Sequence, residues 1–381
     1  MIEKNSDHFI CRTILQQKKY ASKPYVYLLT DTVHEKKSKK CCQFPTFTPV
    51  FKPSVVLFFF RNIQFTSAIG LALYVGLLHF AAISGHLTPL PPMADAGFLY
   101  ERIFGWTKDQ PIWSSYMATV LVFIQAVLVN SLVDSMRLMN DRNWLPGMCY
   151  ALMASVLPDF QFLSGPLVAI TCLIPALRTV FQTYKSPKSS ILVFDTAFWI
   201  SVGSLFYPKA LLLTIAVYFG ISVMRSWTIK DRIAFILGIF VPIFLGWLWY
   251  FWEDSGGVFR QRHLSEIFRL GSFDAFINTK FILSCLFWVL LLLFFVLNYA
   301  SFFCNKSMQG QKFVTVLYWT MFVGAAVLLF RSEWRWEAFL LAVTPASIFL
   351  GMALHNMRNL FAELLHATIL GFVLLLQYAV L

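Results

Sequence analysis

The sequence predicts an all-α fold, a polytopic bundle of transmembrane helices crossing the bilayer about eleven times. Three observations carry that prediction. Only 13% of the 381 residues are charged and 58% are hydrophobic, whereas soluble domains carry roughly 25% charged residues, so the chain cannot cover a water-facing surface. Apolar stretches near the length of a bilayer crossing recur from residue 66 onward. Lysine and arginine favour alternate gaps between those stretches, the bias that orients helices in membranes.

Residues 1–54 stand apart, being polar and basic (Lys18, Lys19, Lys36, Lys37, Lys39, Lys40) without helical or strand periodicity and without the apolar core of a signal peptide. Two readings fit this segment. It is a disordered cytoplasmic tail, or the start codon lies further on and the protein begins near Val55 or Val56, where the hydrophobic organisation begins. N-terminal sequencing of the native protein separates the two.

From there a crossing needs roughly 20 apolar residues at 1.5 Å each. The stretches fall near 66–83, 112–136, 145–157, 165–181, 190–206, 208–224, 233–252, 280–303, 313–330, 337–354 and 360–380. The third has room for about four turns before Pro158, so it is expected to tilt or to sit among its neighbours, because short helices survive at membrane depth where other protein satisfies their ends. Tryptophans such as Trp106, Trp113, Trp144, Trp227, Trp252, Trp334 and Trp336 fall near the ends of these runs, as expected of amphipathic rings at the interface.

The even gaps carry Arg137 and Arg142, then Arg178, Lys185 and Lys188, then Arg225, Lys230 and Arg232, then Lys306 and Lys312, then Arg358, with only Asp141 and Asp231 as acids. These gaps are expected to be cytoplasmic, with the N-terminus inside and Leu381 outside, in a bacterial inner membrane. The odd gaps hold most of the acids, together with Arg260, Arg262, Arg269, Arg331 and Arg335. Two outer loops are long, 84–111 and 253–279. Each contains an expected interfacial amphipathic stretch, with Phe98, Leu99, Ile103 and Phe104 on one side of the first and Leu264, Ile267, Phe268 and Leu270 on one side of the second.

A net charge of +12 raises the question of nucleic acid, but the basic residues are dispersed in short loops and form no patch interleaved with aromatics, so no nucleic-acid partner is expected. The seven cysteines include no CxxC pair, and Cys149, Cys172 and Cys285 lie inside apolar runs, so neither a disulfide nor a zinc site is expected. No phosphate-binding, dinucleotide, zinc-protease or nucleophile-elbow motif occurs, and no cofactor is expected. Ionisable residues in or beside the membrane, which are costly there, become the candidates.

Asp95, in Met93-Ala-Asp-Ala-Gly-Phe-Leu-Tyr-Glu101 on the outer side, suits a general base toward a sugar hydroxyl, and equally suits a helix N-cap. Lys209, Arg260, Arg262, His263, Arg331 and Arg335 form a cationic set on the same side, suited to a lipid phosphate through charge-assisted bonds. Glu333 and Glu337 interleave with the last two, and basic residues beside a membrane also snorkel or meet headgroups. A third group lies within the runs: Asn130 and Asp134, Asp195, and Glu363 with His366. Arg137 one turn beyond Asp134 suggests a structural pair, and the single Glu-x-x-His lacks the second copy that a di-iron site needs, so no metal is expected.

The strings Gln125-Ala-Val-Leu-Val-Asn130, Asn143-Trp-Leu-Pro-Gly-Met-Cys-Tyr-Ala-Leu-Met-Ala-Ser155 and Gly203-Ser-Leu-Phe-Tyr-Pro-Lys-Ala210 resemble an inner-membrane family of the Bacteroidota defined only as a domain of unknown function, over roughly residues 55–381. More widely, the loop plan is similar to that of the GT-C superfamily of polyprenyl-phosphate-dependent glycosyltransferases. Those enzymes have a cytoplasmic N-terminus, a catalytic acid in the first outer loop and a functional loop after the seventh span. The resemblance implies Asp95 as the catalytic acid, Lys209 and Arg260, Arg262 and His263 near the lipid phosphate, and a polyprenyl-phosphate lipid as partner. The first outer loop is shorter than in those enzymes and lacks their acidic pair, which leaves open a membrane scaffold or assembly subunit without catalysis.

Overall fold

The computed structural model describes residues 55–61, 65–87, 96–139, 141–254, 256–259, 263, 265–267, 279–304, 306–330 and 335–378. Residues 1–54, with the basic tail and the expected alternative start, lie outside them. Every regular element among the described residues is helical. In chain order these are α1 (Val55–Arg61), α2 (Phe65–Leu78), α3 (Phe80–Ile83), α4 (Phe98–Phe104), α5 (Pro111–Ser135), α6 (Leu145–Ala154), α7 (Gly165–Gln182), α8 (Ser189–Phe206) and α9 (Leu213–Met224). There follow α10 (Ile229–Trp252), α11 (Gly256–Phe259), α12 (Ser265–Ile267), α13 (Thr279–Leu297), α14 (Tyr299–Cys304), α15 (Met308–Ala326), α16 (Leu340–Asn356) and α17 (Asn359–Tyr378). Short 3-10 turns at 158–161, 208–212, 327–329 and 336–339 link several of them.

Seven helices among the described residues are long and apolar enough to cross a membrane: α5, α7, α8, α10, α15 as extended to Leu329, α16 with its leading turn from Trp336, and α17. Three more apolar helices, Thr66–Leu78, Pro208–Met224 and Ile282–Leu297, are shorter. The surface agrees with lipid as the solvent. Leu73, Ile236, Leu245, Phe251, Trp252 and Leu297 all stand exposed, a band of large apolar side chains that a soluble monomer does not present to water.

The third apolar stretch forms the ten-residue α6, and every residue of it is buried. It packs against α16, of which Leu340 to Leu354 are all buried. Their contact is close because Gly351 has no side chain: a Cβ there would lie 3.1 Å from Pro146 Cα and 3.2 Å from its nitrogen. Helices α2, α5, α7, α15 and α17 pack around this pair, while α8 lies on α7 and α10 lies on α8. The approach of α10 to α8 depends on Gly238, where a Cβ would come within 2.6 Å of the Phe194 carbonyl oxygen. Small residues at such crossings let backbones approach, the main source of helix association where lipid is as apolar as leucine.

Several polar side chains in the interior are matched to one another, which offsets the cost of placing them in a dry medium. The Tyr150 hydroxyl donates to Gln125 Oε1 at 2.7 Å, and Gln125 Nε2 donates to the Leu167 carbonyl at 2.7 Å and to Thr171 Oγ1 at 2.8 Å, tying α5, α6 and α7 together. Thr179 and Thr196 share a hydrogen bond of 2.7 Å between α7 and α8. At the end carrying the basic gaps, Thr228 caps α10 in a capping box with Asp231, whose carboxylate also accepts from Ser190 at 2.7 Å. Arg61 donates to Asn359 and, at 3.1 Å, to the Leu354 carbonyl, and the Trp144 N–H donates to the Phe60 carbonyl at 2.8 Å. These bonds hold α1 against the bundle. Lys306 donates to the Leu138 carbonyl at 2.6 Å, and burial holds its ammonium below the ordinary lysine range.

Several continuous apolar runs are broken helices. The run at 280–303 divides at Asn298, whose Nδ2 donates to the Phe294 carbonyl at 2.8 Å in competition with the helical ladder. The run at 66–83 divides at His79, and the run at 313–330 ends as a 3-10 turn from Val327.

Candidate functional site

At the end opposite the basic gaps, short elements form a packed layer over the helix ends. The helix α4 is positioned by Gly97, whose N–H donates to the Phe206 carbonyl at 2.9 Å. A Cβ at Gly97 would fall 2.3 Å from the Leu205 carbonyl oxygen, so only glycine allows this approach. From α4 the Tyr100 hydroxyl donates to the Leu163 carbonyl at 2.8 Å, and the Leu163 N–H donates to Ser114 Oγ at 3.0 Å. Burial and then the nearby Glu337 carboxylate push the Tyr100 phenol up. The segment before α5 and the one before α16 therefore meet electrostatically at Tyr100 and Glu337. The expected apolar side of α4 differs in one respect: Ile103 is exposed, while Tyr100 takes the buried position because its hydroxyl reaches Leu163.

Asp95, Arg260, Arg262 and Arg331 lie outside the described residues, as do Leu264, Phe268 and Leu270 of the expected second interfacial stretch. Lys209 lies in the 208–212 turn at the end of α8 and is fully buried. That turn packs against α12, two residues beyond His263, and against the 327–329 turn, which in turn packs on 336–339 beside Arg335. The structure therefore packs the turn that bears Lys209 against elements that follow His263 and Arg335 closely in the chain, with Arg335 half-buried. His263 is 2% exposed, stacks on Phe259 with ring centroids 5.1 Å apart, and offers neither ring nitrogen to a described partner. Burial holds its imidazole down at about 4. At neutral pH it is an uncharged ring and not a cation that attracts phosphate.

Beside this layer, the end of α10 carries a groove of about 560 Å³ lined by Leu245, Leu248, Trp249, Trp252 and Glu253. The volume falls within the roughly 300–1,000 Å³ typical of small-molecule sites. At its mouth Glu253 Oε1 accepts from Arg102 Nη2 at 3.0 Å and from Trp249 Nε1 at 3.2 Å. Phe98 of α4 packs against Tyr250 of α10 with the rings tilted and their centroids 4.5 Å apart, which holds α4 and its Arg102 beside the end of α10. The pair is exposed and contributes little to stability, yet it places a guanidinium where an open apolar groove reaches the end of a membrane-spanning helix. Sequence reasoning passed over Arg102. The available signal was the aromatic cluster Trp247-Leu-Trp-Tyr-Phe-Trp252 ahead of Glu253.

Three of the candidates within the runs, His366, Asp134 and Asn130, make contacts inside the bundle. His366 meets the Tyr74 hydroxyl at 3.0 Å, joining α17 to α2. Arg142 is the cation that acts on Asp134; Arg137 instead adopts a left-handed turn with φ 49° and donates its N–H to the Asp134 carbonyl. Asn130 is buried against Gly147 of α6.

Fold and site together define a class, an α-helical membrane protein with a packed polar layer and an apolar groove at one end of its bundle. No family model, no curated protein and no solved structure matches the chain.

Proposed function

We propose that this protein handles a polyprenyl-phosphate-linked sugar or a related long-chain phospholipid in cell-envelope biogenesis, at the outer face of a bacterial inner membrane. In this reading the basic gaps and the N-terminus are cytoplasmic. The seven long helices, the three shorter apolar ones and α6 together make the eleven crossings of a GT-C-like plan. The observation that carries the proposal is the groove on α10, an apolar channel for a hydrocarbon chain that ends beside Arg102 and the polar layer. The lipid chain lies along Leu245, Leu248 and Trp252. Its phosphate meets arginines drawn from Arg102, Arg260, Arg262, Arg331 and Arg335, which stabilise it as a leaving group while Asp95 removes the acceptor proton.

One observation favours the alternative of a scaffold that binds lipid or partner proteins without turnover. Lys209 is fully buried and His263 is neutral, so two of the expected phosphate ligands act inside the packed layer rather than on a ligand.

The test is thermal unfolding of the detergent-purified protein with and without undecaprenyl phosphate. The wild type is expected to gain stability from the lipid, and Leu248→Arg, which places a charge in the groove, is expected to lose that gain. The paired change Arg260→Ala with Arg262→Ala weakens it. Absence of protection in the wild type overturns the lipid-phosphate reading. Protection retained in Asp95→Asn together with lost cellular function supports turnover, whereas normal function in Asp95→Asn supports the scaffold.

A further inference from the structure

A second groove lies at the other end of the bundle, remote from the polar layer. It encloses about 270 Å³ between α5, α7 and α8 and is lined by Leu128, Leu132, Ile174, Pro175 and Trp199, with Arg178 as its charged residue. Arg178 sits in the last turn and a half of α7, about 6 Å along the axis from Gln182 at 1.5 Å per residue. It is exposed on a membrane-spanning helix, and among the described residues it makes no hydrogen bond or ion pair. The other walls are apolar apart from Ser131 and Thr171, and the Thr171 hydroxyl already accepts from Gln125 Nε2.

An arginine at this depth needs an anionic partner or must snorkel out to water. Here Arg178 is exposed and is the charged residue lining the groove. Neighbouring acids do not supply the partner: Asp134 on α5 is acted on by Arg142, and Asp195 on α8 also lacks a described hydrogen bond or ion pair. The hydrogen bond between Thr179 and Thr196 sets α7 and α8 at the same height there. In an antiparallel pair the residues preceding each threonine, Arg178 and Asp195, then turn toward the same side. Arg178 therefore stands at the basic-side end of an apolar groove, with Asp195 turned to the same side of the adjoining helix and Trp199 one turn beyond it.

We propose that this groove is a phospholipid site. The phosphodiester of a membrane glycerophospholipid takes the Arg178 guanidinium, and one acyl chain lies along Leu128, Leu132, Ile174 and Trp199. Asp195 favours a zwitterionic headgroup over a purely anionic one, because an ethanolamine ammonium answers its carboxylate. The site belongs to the leaflet on the basic side and does not depend on the lipid-carrier reading of the other end.

The test is native mass spectrometry of the delipidated protein after titration with phosphatidylethanolamine. The wild type is expected to retain one lipid through detergent exchange. Arg178→Gln is expected to weaken retention about tenfold, the loss of one charge-assisted bond. Arg232→Gln, an exposed arginine on the same side but away from the groove, is expected to retain the lipid as the wild type does. Trp199→Ala provides a second variant that keeps the charge and shortens the chain contact, and weaker retention is expected there too. Equal retention by Arg178→Gln overturns the proposal, as does equally tight binding of diacylglycerol, which lacks the phosphate. Displacement of the lipid by millimolar inorganic phosphate also overturns it, by assigning Arg178 to a free anion.

Discussion

Two neighbouring helices, α16 and α17, have the same mean hydropathy and opposite surroundings. In the most apolar window of the first, 94% of residues are buried inside the protein; in that of the second, 28% are. The difference lies in side-chain size. Ala342, Thr344, Ala346, Ser347, Gly351 and Ala353 let the neighbours of α16 come close on every side, whereas α17 turns Leu360, Phe361, Leu364 and Leu375 toward lipid. Hydropathy sends a segment into the bilayer. Small residues decide whether it is then surrounded by protein or by acyl chains.

Matched substitutions in the two helices break or sharpen this contrast, read as unfolding free energy in detergent. The largest effect is expected at Phe349, which stacks with Tyr318 at 4.4 Å and with Phe302 at 5.4 Å. Phe349→Ala should cost about 3 kcal/mol, the low end for soluble cores, because lipid also solvates the side chain in the unfolded reference. Phe361→Ala, on the exposed face of α17, should change stability by less than about 0.5 kcal/mol. Equal losses at the two positions would refute the contrast.

Next is the glycine pair. Gly351→Leu forces a side chain into Pro146 and should cost about 2 kcal/mol through overpacking. Gly371→Leu meets nothing within 4 Å and should stay within about 0.5 kcal/mol of the wild type. A destabilised Gly371→Leu would mean that α17 is covered by a partner. The smallest effect concerns the polar contact that ties α17 to α2: His366→Phe removes the bond to Tyr74 and should cost about 0.6 kcal/mol, the average for such bonds between membrane helices. A larger loss would give α17 a polar anchor that its exposure hides.

These comparisons mark what the sequence made legible. The apolar runs were readable because 20 residues of hydrocarbon-compatible sequence is a constraint few other structures satisfy, and the helices α5, α7, α8 and α10 appear where the runs lie. The shortness of the third run was equally readable from Pro158, and α6 is indeed wrapped by its neighbours. Breaks at His79 and Asn298 were not, since a single polar residue inside an apolar run leaves composition almost unchanged. At the candidate site, the chain order of the loops suggests that Lys209, His263 and Arg335 share one end, and the turn bearing Lys209 meets α12 and the 327–329 turn. Their protonation and access were beyond reach. Whether Lys209 faces a ligand or is sealed depends on α12 covering the 208–212 turn, a contact between segments far apart in sequence. Arg102 gains its position beside the groove in the same way, through Phe98 packing against Tyr250.

The central place of α16 constrains how the molecule is made. It is made long after α6, yet its final position is enclosed by α6 and by α15 just ahead of it in the chain. Until it is made, α6 lacks one of the main helices that bury it. Premature termination ahead of Trp336 would therefore leave an open cleft in the membrane, the kind of defect that quality-control proteases recognise.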